Sequence, residues 1–257
     1  MTYNSSLIKS ISLLDCYRSD TDEYGIGDFN VLTRQPESTV QRLVNTLEFA
    51  GILIQNPHNK KYRLSLRILS SIMAVQHVSQ WLSAAKREME RLQTVTSETV
   101  NLGIRVGNEL EYIAKVDTDQ LLRPNFVLGK RYPLYCTGLG RCLLSDMAKD
   151  DLYTLFRNTE SVESEFNELD FNRLYNTVLE TRKQGYYLDD EEFKLGLYCI
   201  AVPIYAYERK VVAAISVSIP KARITEESAE TILQETLITA KEISKIYEKI
   251  METYEKF

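Results

Sequence analysis

The sequence is poor in histidine and cysteine, and this excludes several kinds of active site. Only two histidines occur among the 257 residues, His58 and His77, and both precede residue 83. The rest of the chain therefore has no imidazole for a Ser-His-Asp triad, a Cys-His pair or a histidine metal ligand. Four cysteines are present, at Cys16, Cys136, Cys142 and Cys199. They form no Cys-x-x-Cys pair, which predicts free thiols in a reducing compartment and no metal site.

Long apolar runs and glycine-rich nucleotide motifs are also missing. No stretch reaches the roughly 18 apolar residues of a membrane-spanning helix, and the start MTYNSSLIKSISLLDCYRSD lacks the features of a secretory signal. The segment GLGRCL at 138–143 has no third glycine, and GIRVG has the wrong spacing for a dinucleotide or phosphate loop. We therefore expect a cytoplasmic protein with no membrane partner and no cofactor.

Basic residues are concentrated in one short segment, although the whole chain carries a net charge of −5. Residues 1–33 contain two basic and five acidic side chains, whereas residues 34–63 contain five basic and two acidic ones. An excess of three positive charges over such a short segment suits contact with phosphates. The alternative is a solvated helix face followed by a lysine-rich turn.

The first part of the chain has the pattern of three helices and a hairpin. A stripe of Leu7, Ile11 and Leu14 predicts the first helix, and a short second helix is expected over 28–33. The third helix is predicted to begin at Pro36 from apolar residues at i, i+3, i+4 and i+7. The segments ILIQ and YRLS around NPHNKK predict a hairpin. This order of elements is typical of a winged helix-turn-helix.

The rest of the chain mixes helical and strand patterns. Strands flank the turn Gly107-Asn108, a second hairpin is predicted over 195–205 and 211–219, and Thr225 is suited to cap a final helix. We therefore predict an α+β protein. Its predicted parts are a DNA-binding domain at 1–66, a linker helix at 67–82 and a second domain at 83–257.

Four consecutive acidic residues, Asp189 to Glu192, precede the second hairpin. Paired carboxylates can act as general acid and base, so this segment is one candidate for catalysis. However, consecutive side chains point in different directions, and a loop of like charges is usually solvated.

The strand predicted at 211–219 has two different faces. Because successive side chains of a strand alternate, its odd-numbered residues form one apolar face, and Ser216 and Ser218 lie together on the other. Two hydroxyls on a buried face need hydrogen-bond partners, which a bound carboxylate or carbonyl would supply. The alternative is a strand whose serines face solvent.

Several long segments resemble one protein family. YPLYCTGLGRCLL (132–144), GYYLDDEEFKLGLYCIAVPIY (185–205) and VVAAISVSIPKARIT (211–225) resemble the effector-domain signatures of the IclR family of bacterial transcriptional regulators. PESTVQRLVNTLEFAGIL (36–53) is similar to the recognition-helix segment of that family. The resemblance implies an N-terminal winged helix-turn-helix, a linker helix and a C-terminal GAF-like α/β effector-binding domain. It also implies a homodimer or tetramer on an inverted-repeat operator in double-stranded DNA.

The resemblance further implies a small-molecule effector, commonly an organic acid or aromatic metabolite, whose binding changes operator affinity. Asp189 and Cys199 would face this effector, the two serine hydroxyls would donate to its oxygen, and the other acids would be solvated. The matching effector-binding positions are Gly138, Leu139, Asp189, Leu197, Cys199, Ser216 and Ser218.

The resemblance also implies a set of DNA contacts. Arg42 would contact a guanine or a phosphate, and Gln41 an adenine edge. Ser38 and Thr39, near the start of the recognition helix, suit phosphates. The wing residues Lys60, Lys61 and Arg63 would add salt-dependent affinity that is independent of sequence.

The sequence departs from the family pattern at three places. In the turn before the recognition helix, Arg34 replaces a glycine and its two neighbours, Thr33 and Gln35, replace apolar residues. In the pocket motif, Cys136, Leu139 and Arg141 stand where Ala, Ala and Lys are usual, and Ile219 stands where glycine is favoured. We therefore expect a reshaped turn and a smaller or differently shaped pocket.

These patterns favour a metabolite-controlled, DNA-binding regulator that is not an enzyme. One alternative is a small-molecule sensor that acts on a protein partner through a degenerate DNA-binding domain. A second alternative is an enzyme that uses Asp189 and Cys199 on a small acid.

Overall fold

The computed structural model describes residues 4–18, 23–68, 76–157 and 168–254. The chain forms two compact units, residues 1–76 and 77–257, and each is described by itself. Within the described ranges, no helix has both the length and the apolar character needed to cross a membrane.

The first unit contains the three predicted helices. Asn4 caps the first helix, because its side-chain oxygen accepts hydrogen bonds from the backbone N–H groups of Ser6 (3.0 Å) and Leu7 (3.3 Å). A 3₁₀ turn over Asp15–Arg18 extends this helix. The helices are α1 (Ser5–Leu14), α2 (Ile26–Thr33) and α3 (Glu37–Phe49). The predicted first residue of α3, Pro36, is its N-cap instead.

The predicted hairpin is present as strands β1 (Leu53–Gln55) and β2 (Tyr62–Leu64), which pair antiparallel. Tyr24 adds a single bridge to Tyr62 at the outer edge of β2. The apolar core lies between the helices and this hairpin and contains Leu13, Tyr24, Phe29, Val40, Leu43, Val44, Leu53 and Tyr62.

The apolar stripe of α3 is buried as expected, but the stripe of α1 packs inward only in part. Leu7 and Ile11 are 63% and 57% exposed, whereas Leu14, the third residue of the stripe, packs against the core beside the fully buried Leu13. The helix was therefore predicted correctly from its period, whereas its buried face was predicted only in part.

The second unit is built on one six-stranded antiparallel sheet with the strand order β5-β4-β3-β8-β7-β6. The two predicted hairpins supply its four central strands. The strands are β3 (Thr99–Val106), β4 (Glu109–Val116), β5 (Arg131–Pro133), β6 (Tyr187–Asp190), β7 (Leu197–Tyr205) and β8 (Val211–Pro220). The helices are α4 (Gln76–Thr96), α5 (Gly138–Leu143), α6 (Lys149–Arg157), α7 (Glu168–Gln184) and α8 (Glu226–Tyr254).

Helices cover both faces of the sheet. Trp81, Met89 and Leu92 of α4, with Ile243 of α8, pack on the face that carries the odd-numbered residues of β8. Residues of α5, α6 and α7 pack on the opposite face. Thr225 caps α8 as predicted, because its hydroxyl oxygen accepts a hydrogen bond from the backbone N–H of Ser228 at 3.2 Å.

The region interpreted as a linker helix, 67–82, is only partly described, because residues 69–75 lie outside the described ranges. From Trp81 onward, α4 belongs to the core of the second unit. The two units divide between Gln76 and His77, and the predicted boundary at residue 83 falls within α4.

Candidate functional sites

The exposed face of α3 carries the residues predicted to contact DNA. Val40, Leu43 and Val44 hold the other face in the core. Gln41 donates a hydrogen bond to Asn45 one turn later, at 2.8 Å, so this face presents an ordered amide pair. Of the four predicted α3 contacts, Ser38, Gln41 and Arg42 are exposed and Thr39 is half-buried.

The hairpin carries the predicted wing cations. Lys60 and Arg63 are exposed. The ammonium group of Lys61 lies 3.2 Å from a carboxylate oxygen of Asp28 in α2, so part of its charge is already paired. Lys60 adopts a left-handed backbone conformation with φ of 61°, as part of the tight turn between the strands. The structure thus presents two exposed wing cations, one of which, Arg63, interacts electrostatically with Glu23, and a third cation that is shared with α2.

The turn between α2 and α3 explains one departure from the family pattern. Arg34 has φ of 54°, the left-handed region that favours glycine. Gln35 is buried, and its amide nitrogen donates to the Ser12 hydroxyl at 2.8 Å and to the carbonyl of Lys9 at 3.3 Å. Gln35 therefore replaces an apolar contact with hydrogen bonds to α1, and Arg34 adopts the glycine-type conformation at some cost in free energy.

On the α5 face of the sheet, most of the predicted effector residues lie in one buried region. Asp189 of β6 pairs with Cys199 of β7, and Cys199 pairs with Ser218 of β8. Ser218 in turn pairs with Thr99 of β3. These four side chains form a continuous polar row across four strands. Asp189 is 2% exposed and Ser218 is 1% exposed, so the interpretation of the serines as solvent-facing is wrong.

A second row lies one step deeper along the strands. Ser216 pairs with Ala201 on one side and with Asn101 on the other, and both Ser216 and Asn101 are buried. Asn101 donates a hydrogen bond from Nδ2 to the Ser218 hydroxyl at 3.1 Å, and Cys199 Sγ lies 3.4 Å from that same hydroxyl. Sequence reasoning missed Asn101 because a polar residue at this position fits the ordinary alternation of apolar and polar residues along a strand.

The start of α5 lies directly over these rows. Thr137 caps the helix by accepting a hydrogen bond from the N–H of Gly140 at 3.0 Å. A Cβ atom on Gly138 would lie 3.4 Å from the Asp189 side chain and 3.5 Å from that of Ala201. Leu139 is also buried. Glycine at 138 therefore lets the helix approach the polar rows closely.

The acidic segment covers the end of β6 and the start of the following loop, and every carboxylate in it has a partner. The Asp189 carboxylate accepts hydrogen bonds from the backbone N–H groups of Glu192 (3.0 Å) and Phe193 (3.2 Å). Asp190 pairs with Lys221, and Glu191 accepts from the N–H of Gly196 at 2.6 Å. Asp190 and Glu192 are exposed, as expected for solvated acids, and they also have partners.

Glu192 ties this loop to α5. Its carboxylate lies 2.8 Å from the guanidinium of Arg141 and accepts a hydrogen bond from the Tyr187 hydroxyl. The Arg141 guanidinium also stacks over the Tyr187 ring, with 4.9 Å to the ring centroid. The loop is thereby held at a fixed distance from the helix that covers the polar rows.

A cavity of 490 Å³ opens next to the polar rows. Leu197 and Pro220 line it, and they form the strand pair that directly precedes the pair of Cys199 and Ser218 on the same face. Of the seven predicted effector residues, only Leu197 lines this cavity. The cavity is bounded by the rings of Phe126, Tyr132 and Phe193 and by the cationic residues Arg123, Lys130 and Lys194.

The aromatic rings form a connected wall. Phe193 lies 5.8 Å from Tyr132 and 6.3 Å from Phe126 between ring centroids. Tyr112 stacks on Phe126 at 4.9 Å and extends the wall beneath the surface. Sequence reasoning also missed these residues, because they come from β4, β5 and two separate loops with no common spacing.

Burial changes the acid–base properties of the polar row. Burial raises the pKa of the Cys199 thiol to about 12, so this cysteine is a neutral thiol at neutral pH. Burial also raises the pKa of the Asp189 carboxyl, while the two backbone N–H groups oppose this effect. Among the described residues, no group of three or more His, Cys, Asp or Glu side chains is arranged to hold a metal ion.

Comparisons with known proteins agree on one family. The family model described as the bacterial transcriptional regulator IclR C-terminal matches residues 73–245. The HTH-type transcriptional regulator KdgR of Escherichia coli (strain K12) is 31% identical over 242 residues, which cover 93% of this chain and 91% of KdgR. The HTH-type transcriptional repressor AllR of the same strain is 31% identical over 240 residues, covering 93% and 89%.

A solved structure shares the fold. It is an IclR homolog from Microbacterium hydrocarbonoxydans complexed with 4-hydroxybenzoate. It aligns with a TM-score of 0.74 at 21% identity and covers 93% of this chain and 99% of that chain.

Proposed function

This chain belongs to the IclR family of bacterial transcriptional regulators, and we propose that it is a DNA-binding regulator whose operator affinity is controlled by a small organic acid or carbonyl compound. The observation that carries this proposal is the pair of buried polar rows beneath α5, beside a cavity with aromatic and cationic walls. Such an interior is costly to bury unless a ligand or another polar group pairs with it.

The first unit supports the DNA-binding part of the proposal. Its three helices and hairpin have the element order of a winged helix-turn-helix, with α3 as the recognition helix. Arg42 and Gln41 point away from the core and would read base edges in the major groove. Ser38 and Thr39 would bind phosphate at the start of α3, and the wing cations would add affinity. The partner would be double-stranded DNA with an inverted repeat, bound by a homodimer or tetramer.

The second unit supports the effector part. The hydroxyls of Ser216 and Ser218 would donate to a carboxylate or carbonyl oxygen, and the cationic residues beside the cavity would attract an anion. The aromatic wall would accept a small hydrocarbon or ring. The 4-hydroxybenzoate bound by the Microbacterium hydrocarbonoxydans homolog is a compound of this kind.

The chemistry of the polar row favours binding over catalysis. A cysteine nucleophile acts as a thiolate, and a thiol with a pKa of about 12 supplies almost none at neutral pH. Asp189 uses its carboxylate to accept two backbone hydrogen bonds that shape the loop. These roles are those of a pocket wall, consistent with homologues that are named transcriptional regulators.

The proposal is tested by recovering the genomic DNA that the full-length protein binds and sequencing it. One or a few sites with a shared inverted repeat are expected, with an affinity that falls steeply as salt increases. Diffuse or absent enrichment would contradict the proposal and favour a sensor that acts on a protein partner. Conversion of a bound small acid over hours would instead favour an enzyme.

A further inference from the structure

Asn101 is the most unusual polar residue in the interior of the second unit. Its side chain is 0% exposed, and its Oδ1 atom has no hydrogen-bond partner among the described residues. A buried amide oxygen without a partner lowers stability. Such a group in the centre of a sheet therefore needs an explanation.

The charged neighbour of Asn101 is engaged elsewhere. Lys115 faces it across β4, but its ammonium donates to the carbonyl of Phe126 at 2.9 Å and lies 3.1 Å from a carboxylate oxygen of Asp117. The hydroxyl groups of Thr99 and Ser216 lie on the same face, and neither donates to Oδ1. Oδ1 is therefore left with its acceptor capacity unused among the described residues.

The other half of the amide is used, and its partner is a predicted effector residue. Asn101 donates a hydrogen bond from Nδ2 to the hydroxyl oxygen of Ser218, so this oxygen already acts as an acceptor. The hydrogen of Ser218 is then left for another acceptor, either Cys199 at 3.4 Å or a bound ligand. Asn101 thus prepares Ser218 to act as a donor.

The cavity lies on the same face of the sheet as this amide. Pro220 lines the cavity, Ser218 is the next residue of β8 on that face, and Asn101 bonds to Ser218. The amide of Asn101 is therefore a direct hydrogen-bond neighbour of a serine that is predicted to contact the effector.

We propose that Asn101 is an effector-contacting residue that accepts a hydrogen bond from the ligand through Oδ1 while it holds Ser218 as a donor. This inference rests on the proposed effector-binding function. It narrows the ligand class to small acids or carbonyl compounds that carry a hydroxyl or N–H group beside the oxygen bound by the serines. A 2-hydroxy acid has this arrangement, with an acceptor and a donor on neighbouring carbons.

The test uses two pairs of probes that differ by one hydroxyl group. Lactate is compared with propionate, and mandelate with phenylacetate, by isothermal titration of the full-length protein. In the wild type, the hydroxylated member of at least one pair is expected to bind roughly tenfold more tightly. In Asn101→Leu, which removes the acceptor at similar volume, this preference is expected to fall below about twofold.

Gln35→Leu is the matched control. Gln35 is also a buried amide whose oxygen, Oε1, has no partner among the described residues, but it lies in the first unit. This variant is expected to keep the wild-type preference for the hydroxylated probe. A loss of preference in both variants would show a general effect of destabilisation and would overturn the proposal.

Melting of the ligand-free protein gives a second, independent measurement. Asn101→Leu removes the unpaired buried oxygen but also the Nδ2 hydrogen bond to Ser218, so the two effects oppose each other and its melting temperature is expected to lie close to that of the wild type. A lower melting temperature with an unchanged hydroxyl preference would mean that Asn101 serves only the fold.

Failure of the inference can be told apart from failure of the proposed function. If no probe binds the wild type, or if the dehydroxylated probes bind more tightly, the ligand class proposed here is wrong. Specific operator binding by the same preparation would then leave the regulator function intact, and its absence would reject that function as well.

Discussion

The two units present their candidate binding side chains in opposite settings. In the first unit, Arg42 and Lys60 are exposed and do not belong to the core. The opposite face of α3 packs into that core. In the second unit, Ser218 and Asp189 are almost completely buried and bond to the residues that hold the sheet together. Binding and folding are therefore separable in the first unit and coupled in the second.

The difference fits the two kinds of partner that we propose. A DNA backbone is large, charged and solvated, so exposed cations on one convex surface can bind it. A small metabolite offers only a few polar atoms, and these give selectivity only where water is excluded. The second unit therefore places polar groups inside the protein, where each one needs a partner.

The largest effect is expected where the interior tolerates no added atom. A Cβ on Gly140 would collide with the backbone of Leu134, so Gly140→Ala should lower the free energy of unfolding by at least about 3 kcal/mol. Gly27 of α2 is the control, since no atom lies within 4 Å of a Cβ placed there. Gly27→Ala should stabilise the protein by about 0.5–1 kcal/mol in urea unfolding. Equal changes in the free energy of unfolding for the two substitutions would contradict the expectation that Gly140, unlike Gly27, has no room for a side chain.

A base-contacting residue in the first unit should affect binding without affecting the fold. Arg42→Ala is expected to weaken operator binding by about 1–3 kcal/mol in a mobility-shift titration and to change the melting temperature little. Arg105→Ala, an exposed arginine of the second unit, is the control for loss of charge. Unchanged operator affinity in Arg42→Ala would contradict the assignment of α3 as the recognition helix.

Substitution of Ser216 and Ser218 should affect the effector response and the stability of the fold, but not operator binding. Ser216→Ala combined with Ser218→Ala is expected to abolish the effector response of a reporter driven by the recovered operator, while operator binding persists. It should also lower stability by about 1–2 kcal/mol, because Asn101 Nδ2 loses its acceptor. An effector response that survives in this double variant would place the ligand elsewhere.

The smallest effect is expected at the turn before α3. Arg34→Gly should raise the free energy of unfolding by about 0.5–1 kcal/mol, because glycine adopts the left-handed conformation without strain. Chemical denaturation of the two proteins side by side measures this difference. A decrease in stability would show that the Arg34 side chain stabilises the fold by more free energy than its left-handed backbone conformation costs.

The sequence was most informative where apolar residues repeat regularly. The stripe of α3 and the alternation of β8 predicted both the elements and the buried faces, because burial is what selects those periods. The stripe of α1 predicted a helix but only part of its buried face, since Leu7 and Ile11 are exposed although they are apolar.

The interior of the candidate site was harder to predict. Asn101 could have been noticed as an amide in the middle of a strand that has apolar neighbours, but its burial depends on α5, which is distant in sequence. The aromatic wall comes from Phe126 and Phe193, which lie on different loops, and from Tyr132 of β5. Tertiary contacts of this kind leave no periodic signal.

The alternation of β8 also has a mechanical consequence. Ser216 and Ser218 face the polar rows, while Ile215, Val217 and Ile219 pack into the core shared with α4 and α8. Packed interiors have little free volume, so a strand cannot shift on one face alone. A displacement of β8 that brings both hydroxyls to a ligand also presses on α4, the helix that begins at the boundary between the two units. Movement of β8 on ligand binding would therefore be transmitted to α4.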